Sequence, residues 1–149
     1  MQQTGSVVVM IGILLGAGGK DDAVKRERDK LQGIWVFTEL TDGGKKASDQ
    51  ERDSMRLEFK GDKLTITIKD APKGEGPIVG TYTIDPQKSP ATMDITLEAN
   101  GKKFTVPAIY ELKGDSLKLC HAVDEGGARP QAFESTPKNV LAILKRQKP

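Results

Sequence analysis

The chain has 149 residues, 23 Lys and Arg against 21 Asp and Glu, a formal charge of +2 and 36% hydrophobic residues. That length supports one hydrophobic core and is short for two. The near-neutral charge supplies no field for gripping nucleic acid or an anionic membrane surface. Cys120 is the single cysteine, so an intrachain disulfide is excluded and stability has to come from the core.

Val7 to Leu15 (VVVMIGILL) is an uncharged apolar run, followed by Gly16, Ala17, Gly18 and Gly19 before the first charge at Lys20. Such a run reads as a signal-peptide core with a small-residue cleavage region, too short for a stable membrane anchor. Residues 1–19 are therefore expected to be a signal peptide, with export to the periplasm, cell envelope or medium and no integral membrane span in the mature chain; a misassigned start or a buried terminal strand is the alternative reading. The flank MQQTGS contributes no Lys or Arg, leaving the terminal amine as its only positive charge.

Asp21 to Leu31 (DDAVKRERDKL) opens on Asp, continues in good helix formers and is followed by Gly33, which predicts a short helix over residues 20–32. Its apolar stripe, Ala23, Val24 and Leu31, is narrow and suits a helix lying against one end of a domain.

From Gly33 onward the apolar pattern has period two, in runs of four to eight residues separated by turn signals. Met55, Leu57 and Phe59 alternate with Arg56, Glu58 and Lys60; Leu64, Ile66 and Ile68 alternate with Thr65, Thr67 and Lys69. Eight such runs over residues 33–149 predict an all-β, antiparallel, up-and-down barrel with a short N-terminal helix. "EFKGDKLTI" and "ELKGDSLKL" are near copies, each a tight Lys-Gly-Asp hairpin. In an up-and-down order these two turns fall at one end. The long links Thr41 to Ser54, Asp70 to Ile78 and Asp124 to Lys138 fall at the other, where long loops are often functional. By the same parity Trp35, near the start of the first strand, and Arg146, at the end of the last, meet at the tight end. A guanidinium over the indole there would contribute about 0.5 to 2 kcal/mol and help plug the barrel.

Gly33-Ile34-Trp35 after a short helix, with Arg146 in "LAILKR", resembles the lipocalin pattern, in which a tryptophan near the closed end packs under an arginine from the last strand. "DKLQGIWVF", "LEFKGDKLTI", "GTYTIDPQKSPATMDIT", "IYELKGDSLKLC", "RPQAFES" and "VLAILKR", in this order, resemble a lipocalin-like domain family abundant in planctomycete bacteria, over nearly all of Asp29 to Arg146. The resemblance implies a barrel and export, with Gly33, Trp35 and Arg146 as closure residues. It implies no activity. Lys-Gly-Asp stands where lipocalins carry a T-D-Y turn, and a domain this small has room for a cavity smaller than a lipocalin's, or for none.

With Trp35 inward, alternation places Phe37, Leu57, Phe59, Leu64, Ile66, Ile68, Tyr82, Ile84, Met93, Ile95, Leu97, Val106, Tyr110, Leu117 and Leu119 inside. Most of these make a core. Tyr82, Tyr110 and His121 add polar groups in the same phase, and Glu39, at the loop end of the first strand, is expected to join them. An apolar barrel with a few convergent polar groups near its open end is the usual form of a small-molecule site, so these four are the candidate ligand-binding residues. The same tyrosines and imidazole could instead satisfy one another.

Cys120 beside His121 does not make a catalytic dyad, because neighbours on a strand point to opposite faces. One His and one Cys so disposed do not make a zinc set, no calcium-loop spacing occurs, and no phosphate-loop, nucleophile-elbow or zinc-protease motif is present. Neither a cofactor nor a metal site is expected. Two functional readings follow. One is an exported, non-enzymatic binding domain for a small apolar or amphipathic molecule at the loop-rich end. The other is a filled barrel that meets cell-envelope proteins through its charged loops at 43–53 and 124–129. The inner volume separates them.

Overall fold

The computed structural model describes residues 19–71, 76–99, 101–124 and 126–148; the apolar run at 7–15 and the expected signal peptide up to residue 18 lie outside the described residues. Residues 19–31 are helical and form α1. Then follow β1 (Gly33–Asp42), β2 (Lys45–Lys46), α2 (Asp49–Asp53), β3 (Met55–Lys60), β4 (Lys63–Ile68), β5 (Ile78–Asp85), β6 (Ala91–Ala99), β7 (Lys102–Lys113), β8 (Ser116–Ala122) and β9 (Asn139–Arg146). Each long strand pairs antiparallel with the next in sequence from β3 to β9, and β1 pairs with both β3 and β9. The sheet therefore closes on itself as an eight-stranded up-and-down barrel, which leaves no free edge among these strands. β2 adds only a two-residue ladder on the end of β1.

The eight expected strands are present with small changes at their ends. The first long link is not irregular throughout, however. It folds into β2 and the one-turn helix α2, whose first turn is capped by Ser48 accepting from the Glu51 amide at 3.2 Å.

Both Lys-Gly-Asp turns are two-residue hairpins, with Lys60 paired to Lys63 and Lys113 paired to Ser116. Gly61 and Gly114 sit at φ 63° and 57°, the positive φ that these first turn positions demand. Both turns lie at the end closed by α1. Leu31 from the helix is fully buried in the core with Trp35, Phe59, Tyr82, Met93, Tyr110, Leu117 and Leu144, so large side chains fill that half of the barrel.

Trp35 and Arg146 are register partners, and the Arg146 guanidinium carbon lies 4.4 Å from the centroid of the indole. The indole Nε1 donates to the Leu31 carbonyl at 2.8 Å. Arg146 donates to the carbonyls of Lys30 and Gln32, which end α1, and to Asp115 Oδ1 at 3.0 Å. A cation at a helix C-terminus meets the negative end of its dipole. One arginine thus joins the helix, the last hairpin and the tryptophan.

On the outside, the β8–β9 link folds back over β6 to β8. Arg129 from this link donates to the carbonyls of Ala108 at 2.8 Å and Met93 at 3.3 Å and pairs with Asp94 at 2.5 Å. Ile109 and Cys120, on the outer face, are buried as a result.

Candidate functional site

The interior is filled at the helix end and open at the other. An apolar cavity of about 250 Å³ occupies the loop-end half, walled by Phe37, Leu40, Leu57, Leu64, Ile66, Ile95, Leu97, Val106, Leu119, Val140 and Ala142. Met55, Asp42 and His121 complete its lining. Leu40, Asp42 and Met55 also line a surface groove bounded by Lys45, Ala47, Glu51 and Ile68, so the cavity and this groove adjoin between the β1–β2 turn and α2.

Of the four candidate ligand-binding residues, only His121 lines this cavity. Tyr82 and Tyr110 point inward as alternation requires, but they lie at the helix end. Tyr82 is one position from Thr81, the partner of Lys63 at the β3–β4 hairpin. Its hydroxyl donates to the Gly61 carbonyl at 2.8 Å and accepts from Gln32 Nε2 at 3.1 Å, while its ring meets Phe59 edge-on at 4.9 Å. Gln32 also accepts from the Gly61 amide at 2.6 Å and so stitches the helix end to the hairpin. The Tyr110 hydroxyl donates to Glu27 of α1 at 3.1 Å. Burial first, and then the Glu27 charge, push its phenol well above the usual range. Strand direction accounts for the difference: β5 and β7 both run from the loop end toward the helix end, and each tyrosine lies late in its strand.

Glu39 is exposed on the outer face, contrary to expectation. Phe37 pairs with Leu144 and Glu39 with Ile143, so Thr38 is an extra residue, a β-bulge. One inserted residue reverses the phase of everything after it. Leu40 and Asp42 therefore turn inward where Glu39 and Thr41 would have done so. The Thr38 hydroxyl donates to the Ile143 carbonyl at 3.0 Å, and its own carbonyl accepts from Arg52 of α2 at 3.1 Å. Among the described residues Asp42, exposed at the end of β1, is thus the acidic residue of the cavity lining, and only the bulge reveals it.

His121 and Asp42 are both register partners of Val140, one on β8 and the other on β1. Strand spacing puts their backbones roughly 10 Å apart across the mouth. His121 Nδ1 lies 2.8 Å from the Ala122 carbonyl. A carbonyl only accepts, so Nδ1 carries the proton and Nε2 is left as an acceptor in the neutral ring. Burial lowers the His121 pKa below its ordinary value, opposed by the Ala122 hydrogen bond and by the charge of Asp42.

Cys120 lies on the opposite face of β8, its Sγ 3.7 Å from the Glu134 carbonyl, and burial raises its pKa. It makes no dyad with His121.

A family model described as a lipocalin-like domain matches residues 31–119, more than half of the chain. The protein belongs to the lipocalin-like domain family. No curated protein and no solved structure matches the chain. The lipocalin-like barrel is a fold of the small-molecule-binding kind, in a family made up generally of binding proteins. Among the described residues, no helix is long and apolar enough to cross a membrane.

Proposed function

We propose that this lipocalin-like protein is an exported, non-enzymatic binding protein that takes a small apolar or amphipathic molecule into the loop-end half of its barrel. The observation that carries the reading is the division of the interior. Trp35, Tyr82 and Tyr110 fill the helix end, while about 250 Å³ beyond them remains open and almost wholly apolar. At about 30 Å³ for each water-sized group, that space suits a body of on the order of eight heavy atoms. It falls just below the range usual for drug-sized ligands and favours a small occupant. An open interior also favours binding over the filled-barrel alternative. The apolar run at 7–15 followed by small residues supports export.

The test is titration of the purified protein with p-xylene, a neutral probe of the expected size, followed by the methyl NMR signals of Ile95, Leu119 and Ala142. Saturable shifts confined to the cavity methyls support the reading. An absence of shifts up to the solubility limit of the probe rejects it. Native mass spectrometry of protein purified from its own host would then give the mass of the resident molecule.

A further inference from the structure

We infer that the occupant is an amphiphile whose polar head donates hydrogen bonds, with a protonated amine preferred and a carboxylate disfavoured. This rests on the binding reading above and adds the chemistry of the head. Three observations converge on it. First, among the described residues Asp42 and His121 are the polar side chains of an otherwise apolar lining, and both stand at its loop end on either side of Val140. A molecule that buries its apolar body among Phe37, Leu57 and Ile95 must present its head to them. Second, both offer acceptors. The His121 Nδ1 proton is committed to the Ala122 carbonyl, which leaves Nε2 with a lone pair, and an ionised carboxylate only accepts. Third, the bulge at Thr38 places an acid, Asp42, at the inner position in this row of β1. A carboxylate head would meet a like charge and a lone pair. An ammonium head would meet an opposite charge and an acceptor at once, and a hydroxyl head would keep the hydrogen bonds without the charge.

The nearby lysines do not reverse this preference. Lys45 is the register partner of Asp42 on the β1–β2 ladder and so shares its face, but Asp42 is exposed there, and both Lys45 and Lys46 are exposed along the outer groove with Glu51 on its other side. Neither lysine lines the cavity itself.

The experiment compares heptylamine, 1-heptanol and octanoate, which carry the same seven-carbon tail, as competitors of p-xylene at about pH 8. There the amine is charged and a histidine with an ordinary or lowered pKa is neutral. Heptylamine is expected to bind most tightly, 1-heptanol next, and octanoate at least tenfold more weakly than the amine. Asp42→Asn should remove most of the advantage of heptylamine over 1-heptanol, both measured on the same variant, and its cooperative urea unfolding shows that it is folded. His121→Phe should weaken 1-heptanol relative to p-xylene, both measured on the same variant. Octanoate binding as tightly as heptylamine, or an Asp42→Asn variant with the wild-type order and ratios, overturns the inference while the binding reading stands. Failure of p-xylene itself overturns both.

Discussion

The guanidinium of Arg52 donates to the carbonyl of Thr38 at 3.1 Å, and that bond holds the residue at which β1 changes phase. Arg52 lies on α2, between Asp49 at 3.3 Å and Asp53 at 3.1 Å, so the small helix serves as a bracket for the bulge. Arg52→Ala should cost about 1.5 to 3 kcal/mol in urea unfolding, the range for a hydrogen bond to a charged group. It should weaken p-xylene binding as well, because Leu40 and Asp42 lose their fixed inward phase. Unaltered binding in a destabilised variant would show that the bulge holds without its bracket.

The same bulge marks the limit of what alternation could show. Closure, strand order, the two hairpins and the meeting of Trp35 with Arg146 were all legible, because each rests on period two and on strand parity, which survive small errors in strand ends. Glu39 was misplaced because no residue type announces a bulge: Thr38 is an ordinary strand residue, and the reason it stands out of register lies 14 positions away in Arg52. The tyrosines were assigned the right face and the wrong end. Their positions along β5 and β7 already carried that information, since parity turns those strands toward the hairpins. Gln32, which bonds to both Gly61 and Tyr82, gave no local signal, because its role exists only once helix and hairpin meet.

At the closed end, Arg146 combines an indole face, two helix carbonyls and Asp115. Arg146→Ala should lower stability by about 2 to 4 kcal/mol, combining the cation–π contact with charged hydrogen bonds. Arg146→Lys should recover less than half of the loss, since an ammonium cannot reproduce the planar fork. Trp35→Ala should cost about 3 to 5 kcal/mol for a fully buried aromatic. Chemical denaturation of the three variants measures this, and full rescue by lysine would reduce the role of Arg146 to charge alone.

Tyr110 makes alkaline stability a readout of the helix contact. Its phenol is raised in the folded state by burial and then by Glu27, so between the unfolded value near 10 and the higher folded value only the unfolded chain loses the proton. Stability is complete below about pH 10 and falls as the pH rises beyond it. Tyr110→Phe should flatten that fall, at the cost of the Glu27 hydrogen bond at neutral pH. A variant with the wild-type alkaline slope would place the titrating group elsewhere.

His121 is the only histidine, so its ring signals are assigned without ambiguity. Its pKa is lowered by burial, which means that below about pH 6.5 the unfolded chain takes up a proton before the folded one does. The associated stability is present above that value and declines as the pH falls toward the folded pKa. An NMR titration should give a midpoint below 6.5, with the nitrogen shifts of an Nδ1-protonated ring at neutral pH. A proton on Nε2 instead would remove the acceptor assigned to the cavity mouth.

Ala142 offers a way to separate binding from folding. It lines the cavity, is buried, and pairs with Leu40 on one side and Leu119 on the other. Ala142→Leu would extend a side chain into open space, whereas Leu57→Ala would enlarge that space. The first should abolish p-xylene binding while changing stability by less than about 1.5 kcal/mol, the range for a well-tolerated core change. The second should lose about 2 to 5 kcal/mol and still bind. Their contrast is informative because the two effects run in opposite directions: the better-packed barrel would be the one that binds nothing. If Ala142→Leu binds p-xylene as the wild type does, the probe occupies some other part of the molecule.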